Sequence, residues 1–417
     1  MKKREILGEA LEALRWNPRR TFLTLLGMAW GIATVVLLLA YGNGFGTAVN
    51  NIFSSYGSKA VGIFPGRTSL QVGGSKAGRQ IRLTSDDIDA LRSSTPLILH
   101  ISRELDNNFN VQNQDRVANV PVTGIDPEAQ HIWALKLADG RFFTQREDEI
   151  HARVAVLTTD IKDKLFSGAP AIGHTIRISG VSFEVVGLLQ PRMQEGNNDI
   201  NRVVYIPYSA MGALDDTRYL GGIWLDYNGL ANEAVVESVR ETLGLVHGFD
   251  PKDQRAIFIF DLRKQLKQFV IITTGLKVLL GFIGTLTLGI GGIGLMNIIL
   301  VAVSQRTREI GMAKALGLRR RDILFQFLSE ALLITAAGGA LGMILSYMAA
   351  YGIGSLTLYS AMAKHASAGD IHLAVSLNVL LIATVILGVV GVVSGLIPAI
   401  RAPPILIPSR RCATNSG

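Results

Sequence analysis

The chain has 417 residues, of which 48% are hydrophobic and 18% are charged, and its net charge is +8. So few charged residues disfavour an ordinary soluble protein, since soluble domains average about 25%. The positive charge does not indicate nucleic acid as a partner, because residues 43–266 carry a net charge of −3 and the rest of the chain +11.

The N-terminal segment, residues 1–20, has the pattern of an amphipathic helix. Ile6, Leu7 and Leu14 fall on one helical face, while Glu9 and Glu12 lie mostly opposite. This predicts a short cytoplasmic helix on the inner membrane surface, ended near Pro18. The alternative is a cytoplasmic extension of the first membrane span.

Four apolar segments are long enough to cross a bilayer, which requires about 20 helical residues. They are residues 21–42, 278–304, 331–358 and 371–400, and none contains Lys, Arg, Asp or Glu. A cleaved signal peptide is the alternative for the first segment. Its apolar part is longer than a usual signal peptide and no A-x-A site follows it, which favours an uncleaved anchor.

Basic residues beside the spans predict the topology. They cluster in residues 2–20, 306–321 and 401–411, whereas the loop between the third and fourth spans holds only Lys364. The positive-inside rule therefore places both termini and the middle loop in the cytoplasm and residues 43–266 outside. The predicted fold class is a membrane protein with four transmembrane α-helices and a large extracytoplasmic α+β domain inserted between helices 1 and 2.

The predicted extracytoplasmic domain mixes helix and strand patterns. Residues 84–87 resemble a helix N-terminus, and residues 232–243 have helical spacing of apolar side chains. Strands are predicted at 153–157 and 202–208, and a hairpin around Ser179 and Gly180. Residues 263–269 are predicted to form a helical stalk that continues into the second span. The one cysteine, Cys412, lies in the predicted cytoplasmic tail, so the domain has no disulfides.

Motifs for chemistry are scarce. The sequence contains no G-x-x-x-x-G-K-[ST] string for nucleotide phosphates and no H-E-x-x-H, and its seven histidines are scattered. We therefore predict no catalytic, cofactor or metal site in this chain; an enzyme whose site assembles only in three dimensions is the alternative. The spans also lack the buried ionisable residues of ion relays, since Lys277 and Glu330 fall near their ends.

Glycines recur within the spans at spacings typical of close helix packing. A G-x-G-x-x-G string begins at Gly289, but it lies inside an apolar span without the strand that a dinucleotide site needs. The predicted helix-packing residues are Gly27, Gly31, Gly289, Gly291, Gly292, Gly294, Gly391 and Gly395.

The stretch around the second span and the following loop carries the most specific pattern. It includes residues 291–298, 306–311 and 314–317, followed by Gln326-Phe327 and residues 329–331. Together with residues 10–27 and 140–143, this pattern resembles the membrane subunits of the MacB/FtsX family of ABC transporters, in order along nearly the whole chain.

The resemblance implies a set of partners and a role for the middle loop. The chain would form a homodimer, or a heterodimer with a sister permease, and would bind an ABC ATPase subunit that holds ATP and magnesium. A coupling helix would contact that ATPase through Arg306, Arg308, Glu309, Ile310, Met312, Lys314, Ala315, Leu316 and Gly317. The alternative is a basic loop that only fixes topology and contacts anionic membrane lipid.

The resemblance also implies an inner-membrane location and a segment plan. The cytoplasmic N-terminal helix is residues 1–20 and the first span is residues 21–42. Residues 43–266 form a periplasmic MacB-like core domain with a porter-like part and an inserted subdomain. The stalk and second span (267–304), the cytoplasmic coupling loop (305–325), the third and fourth spans (326–400) and the cytoplasmic tail (401–417) follow.

In the family, ATP hydrolysis moves the outer domain, a mode called mechanotransmission. The large outer domain favours efflux of drugs, peptides or other small compounds, with a periplasmic adaptor and an outer-membrane channel as further partners. Lipoprotein release and a receptor without ATP coupling are the alternatives. Two features depart from the family. Efflux members often carry a fused ATPase domain, whereas this chain starts at the membrane. The segment after Ala402 also lacks the acidic and proline-containing continuation that the family usually has.

Overall fold

The computed structural model describes residues 18–54, 57, 59–71, 76–192, 201–229, 232–305, 307, 312, 320–354 and 370–401. Contacts between residues divide the chain into two compact units. The membrane unit comprises Met1–Gly46, Ile272–Leu356 and Ile371–Gly417. The domain unit comprises Thr47–Ile271 and Thr357–Asp370. Residues 1–17, which hold most of the segment predicted as an amphipathic helix, and the tail at 402–417 lie outside the described residues.

Helices and strands alternate irregularly between the first and second long helices. The described helices are α1 (Pro18–Ser54), α2 (Ser85–Ser94), α3 (Ala129–Ile132), α4 (Gln145–Glu149), α5 (Thr159–Phe166), α6 (Tyr208–Met211), α7 (Asn232–His247), α8 (Leu262–Gln305), α9 (Arg320–Ile353) and α10 (Leu377–Arg401). The described strands are β1 (Val61–Pro65), β2 (Ile98–Asn113), β3 (Arg116–Ile125), β4 (Leu137–Gly140), β5 (Val154–Leu157), β6 (Thr175–Ile178), β7 (Val181–Leu189), β8 (Val204–Pro207), β9 (Gly222–Tyr227) and β10 (Ile257–Asp261).

Four of these helices, α1, α8, α9 and α10, are long and apolar enough to cross a membrane. The prediction of four spans with an α+β domain between the first two is therefore confirmed. Helix α8 runs without a break from Leu262 to Gln305, so the residues predicted as a stalk are helical and continuous with the second candidate span. Helix α1 likewise continues past the predicted end at residue 42, since Asn43, Gly44 and Gly46 lower the hydropathy but do not end the helix.

The predicted start of the fourth span, at residue 371, is wrong by six residues. Ile371 and Leu373 are apolar and buried, so hydropathy alone could not separate them from the helix. The helix begins only at Leu377, where the hydroxyl of Ser376 accepts a hydrogen bond from the backbone of Val379 at 3.4 Å. The third helix ends at Ile353, whereas the sequence predicted it to 358; residues 355–358 lie outside the described ones.

The domain unit is built on one mixed ten-stranded sheet with the order β10-β1-β9-β2-β3-β8-β5-β7-β4, and β6 pairs with β2 and β7. The pairs β3 with β8 and β5 with β7 are parallel, and the other strand pairs are antiparallel. The predicted hairpin is confirmed as β6 and β7, with Ser179 and Gly180 in the left-handed region that a tight turn requires.

Apolar clusters hold the helices of the domain unit against this sheet. Helix α7 contributes Val235, Val239 and Leu243, spaced four residues apart, to a fully buried cluster that also includes Ile63 and Leu225. A second cluster surrounds Phe183 on β7. Helix α2 begins with the expected pattern, because Thr84 and Asp87 form a reciprocal capping box. Apolar contacts therefore hold α7 against the sheet.

Candidate functional site

The long helices of the membrane unit approach one another at glycines. A Cβ atom on Gly31 of α1 would lie 2.9 Å from Leu288 Cδ1 and 3.1 Å from Leu288 Cα of α8. One helical turn further along α8, a Cβ on Gly291 would lie 3.2 Å from the carbonyl oxygen of Gly27. Because the missing side chains let the two backbones come this close, α1 and α8 pack directly against each other.

Helix α10 is packed in the same way on two neighbours. A Cβ on Gly292 of α8 would lie 2.7 Å from Ser394 Oγ of α10. On α10 itself, Gly391 leaves room for Thr335 and Gly395 leaves room for Ala331, both on α9, at 2.9 Å and 2.7 Å. These three glycines therefore lie in helix contacts.

The remaining predicted glycines are placed differently. Cβ atoms on Gly27, Gly289 and Gly294 would meet nothing within 4 Å. Gly27 takes part in the helix contact only through its carbonyl oxygen. Glycines at neighbouring positions of α8 thus have different surroundings, because successive residues point about 100° apart around a helix.

The closest helix approach involves glycines that the sequence analysis missed. A Cβ on Gly342 of α9 would overlap Ile32 Cγ2 and would lie 2.5 Å from the carbonyl oxygen of Ala29 on α1. One turn earlier, a Cβ on Gly338 would lie 2.7 Å from Met28 Cβ. The signal was present, since Gly338 and Gly342 have the small-xxx-small spacing used for the other helices.

Two buried hydroxyl groups in the described spans are satisfied within their own helices. The hydroxyl of Thr335 donates to the carbonyl of Ala331 at 2.8 Å, and the hydroxyl of Ser346 donates to the carbonyl of Gly342 at 2.6 Å. Between the helices lie apolar side chains, including fully buried Met28 and Leu288. This part of the molecule is therefore suited to holding helices together.

The predicted coupling residues fall almost entirely outside the described part of the chain. Those not described are Arg306, Arg308, Glu309, Ile310, Lys314, Ala315, Leu316 and Gly317. Met312 is described, and it is helical and 57% exposed. Contact of this loop with an ATPase thus stays a prediction.

A polar groove of about 660 Å³ lies in the domain unit, beside α2 and α3. The more buried of its two arginines, Arg103, is already neutralised, because its guanidinium pairs with Asp126 and lies 3.0 Å from Asp148 Oδ2. The same guanidinium lies 4.3 Å from the ring centre of Tyr208, whose pKa burial raises to about 12. These groups satisfy one another and hold the fold together.

One carboxyl group of the domain unit has unusual electrostatics. Glu104 Oε2 accepts a hydrogen bond from Trp224 Nε1 at 2.6 Å, and a Cβ on neighbouring Gly222 would lie 3.0 Å from the same oxygen. Burial raises the pKa of Glu104 to about 7, although the bond from Trp224 opposes that rise. Sequence reasoning missed this group, because a single Glu in an alternating strand resembles a solvent-facing residue.

We also searched the described side chains for a metal site. Within the described ranges, no group of three or more His, Cys, Asp or Glu residues could hold a metal ion.

Comparison with known proteins gives two family matches in chain order. A model of the MacB-like periplasmic core domain matches residues 21–242, and a model of the FtsX-like permease C-terminal domain matches residues 281–402. The second match contains α9, α10 and the part of α8 from residue 281 onward.

Curated relatives agree with both matches. The macrolide export ATP-binding/permease protein MacB of Bdellovibrio bacteriovorus is 30% identical over 406 residues, covering 95% of this chain and 60% of that protein. The protein of the same name from Acinetobacter baylyi is 31% identical over 401 residues, covering 95% of this chain and 58% of that protein. The chain thus spans about three fifths of the length of these relatives.

Among solved structures, the periplasmic region of MacB from Actinobacillus actinomycetemcomitans aligns with a TM-score of 0.43 at 21% identity. The alignment covers 52% of this chain and 94% of that one.

Proposed function

The chain belongs to the MacB/FtsX family of ABC-type permeases, and from this premise we propose that it couples ATP hydrolysis by a separate ATPase subunit to movement of its periplasmic domain. It would act in a bacterial inner membrane with both termini in the cytoplasm, as one half of a homodimer or of a heterodimer with a sister permease.

The observation that carries this proposal is the continuity of α8. The helix has 44 residues, begins directly after the last strand of the sheet and includes an entire candidate membrane span. A helix of this length is about 65 Å long, at 1.5 Å per residue. Because no loop interrupts it, displacement at its inner end would be carried toward the domain.

The composition of the spans supports mechanical coupling over ion coupling. The apolar segments contain no Asp, Glu, Lys or Arg, which are the side chains of proton and sodium relays. Energy would therefore come from nucleotide hydrolysis in the partner. The sequence holds no P-loop of its own, so we assign ATP and magnesium to that partner.

The proposed output is export of a small compound from the periplasm, with an adaptor and an outer-membrane channel. It is supported by the names of the relatives, which describe macrolide export. Lipoprotein release is the alternative output for the same architecture, and the phenotype of depletion distinguishes it from export. Depletion that traps lipoproteins in the inner membrane would favour it, whereas loss of an exporter would only increase sensitivity to exported compounds.

The test of ATP coupling is co-purification of an ATPase with the full chain. We expect the double substitution Arg308→Glu and Lys314→Glu to reduce ATPase recovery at least about tenfold, because charge pairs at a docking surface become repulsive. Arg15→Glu with Arg19→Glu is the matched control, since it removes the same charge on the same predicted side but outside the coupling loop. Undiminished ATPase recovery with the loop variant would contradict the docking role.

A further inference from the structure

The two long helices that have residues in both units join the sheet differently. Helix α1 ends at Ser54 and β1 begins at Val61, so six residues connect them. Strand β10 ends at Asp261 and α8 begins at Leu262, with no residue between. In the sheet, Asp261 pairs with Val61. The chain therefore changes from strand to helix at one residue, Asp261.

A buried chain of hydrogen bonds converges on this residue. The hydroxyl of Tyr227, at the end of β9, donates to Asn232 Oδ1 at 2.6 Å. The amide Nδ2 of Asn232, at the start of α7, donates to Asp261 Oδ2. The backbone N–H of Lys264 donates to Asp261 Oδ1 at 3.1 Å. Tyr227, Asn232 and Asp261 are 0%, 4% and 8% exposed.

Each oxygen of the Asp261 carboxylate has its own partner. One oxygen caps the first turn of α8, where unpaired N–H groups and the helix dipole favour a negative charge. The other oxygen binds α7. Because both bonds end on the same buried carboxylate, tilting the first turn of α8 away from α7 would leave a buried polar group without a partner.

Surface charges at this junction are weaker. A groove of about 580 Å³ is lined by both helices, and Lys267 Nζ lies 3.9 Å from Glu233 Oε1 beside it. Both side chains are largely exposed, and exposed ion pairs of this kind stabilise little. The first turn of α8 has a further polar contact through Arg263, which donates to the carbonyl oxygen of Gly229 at 3.4 Å and interacts with Tyr227. Among these contacts, only the carboxylate of Asp261 joins the first turn of α8 to α7 by buried hydrogen bonds.

We propose that Asp261 is a positioning residue, which holds the first turns of α8 in a fixed orientation against α7 and the sheet. Movement of this helix then moves the domain unit instead of bending the junction. The inference rests on the proposed function for its consequence, but the fixed orientation can be measured without any ATPase.

The first experiment measures the distance distribution between spin labels on α7 and α8. Both labels belong to the domain unit, at Leu245→Cys and Ile271→Cys, whose parent side chains are 85% and 72% exposed. The Cys412→Ser change removes the one native thiol. Labelled chains are diluted with unlabelled chains, so that distances between copies do not contribute.

We expect a narrow distribution in the parent and one at least about twofold wider in Asp261→Ala, since local opening follows loss of buried hydrogen bonds. The matched control is Asp253→Ala, which also removes a buried carboxylate, one that accepts bonds from Ser69, Leu70 and Arg255. It should leave the distribution unchanged. An unchanged width in Asp261→Ala would overturn the proposal.

Tyr227→Phe keeps the test valid if Asp261→Ala does not fold. It removes one hydroxyl, which orients Asn232 and also interacts with Arg263 on α8, so we expect a smaller widening of the same distribution. A parent-like width in this variant, where Asp261→Ala cannot be measured, would likewise overturn the proposal.

A second measurement separates this role from the proposed function. In nanodiscs with the ATPase partner, ATP should leave the distance between the labels at positions 245 and 271 unchanged in the parent, because α7 and the first turns of α8 move together. In Asp261→Ala, ATP should change that distance, while ATP hydrolysis stays within about twofold of the parent. A distance that ATP leaves unchanged in that variant would overturn the positioning role alone. Failure of any ATPase to bind the parent chain would overturn the proposed function and leave the label widths interpretable.

Discussion

The membrane unit and the domain unit reach close packing by opposite means. Helices of the membrane unit meet where side chains are missing, as at Gly342 against Ala29 and Ile32. The domain unit is packed by large side chains, such as Phe183 and Tyr227, which are fully buried. In lipid, apolar surface gains little by leaving its solvent, so close backbone contact holds the helices together. In water, burial of apolar area is the main stabilising term.

Because of this difference, the two units should be destabilised by opposite changes in side-chain size. Removing carbon atoms should damage the domain unit, because it leaves a cavity. Adding a carbon atom should damage the membrane unit, because there is no space for it.

The largest expected effect is in the domain unit. Phe183→Ala should lower the free energy of unfolding by about 4 kcal/mol, since Phe183 is fully enclosed in its apolar cluster. Chemical denaturation followed by tryptophan fluorescence measures it, since two of the four tryptophans, Trp133 and Trp224, lie in the domain unit. Val117→Ala on strand β3 is the control, because Val117 is 55% exposed. If Phe183→Ala and Val117→Ala lowered the free energy of unfolding by similar amounts, burial of large side chains would not be what stabilises the domain unit.

The next effect is in the membrane unit and has the reverse sense. Gly342→Ala should lower stability by up to about 3 kcal/mol, because its Cβ would overlap Ile32 and press on the backbone of Ala29. Thermal unfolding of the full chain in nanodiscs measures it. Gly294→Ala, which adds the same atom in open space on α8, should be neutral. A neutral Gly342→Ala would show that helix contact does not depend on the missing side chain.

The smallest effect concerns charge and is limited to the domain unit. Between about pH 4.5 and about pH 7, folded Glu104 keeps a proton that the unfolded chain has released. Raising the pH through this window therefore lowers the free energy of unfolding. Glu104→Gln should remove that loss and stabilise the domain by about 2 kcal/mol at pH 8. Denaturation of the parent and of Glu104→Gln at pH 5 and pH 8 measures this effect. If the two proteins differed in free energy of unfolding by the same amount at both pH values, the raised pKa of Glu104 would be contradicted.

The sequence predicts the parts of this fold that depend on local pattern. The four spans follow from apolar length, and the hairpin at Ser179 and Gly180 follows from its turn residues. The helix at Ser85 follows from its capping pattern. Each of these features is decided within a few residues, so one sequence is enough to find it.

Features that depend on three-dimensional neighbours could not be predicted. The spacing of glycines identifies a packed helix but not which face is packed, as Gly291 and Gly294 demonstrate. The bond between Asn232 and Asp261 joins residues 29 apart in sequence. One signal was available, because an Asp directly before a helical segment is a typical N-cap, and Asp261 precedes the predicted stalk.

The absence of any residue between β10 and α8 also fixes the azimuth of the whole helix. One residue inserted after Asp261 would leave α8 continuous but would rotate every later side chain by about 100° about the helix axis. The face that now carries Gly284, Gly291 and Leu288 toward α1 would then point elsewhere. Seven inserted residues would restore the phase to within about 20°, so the length of this helix can change only in near-integral turns.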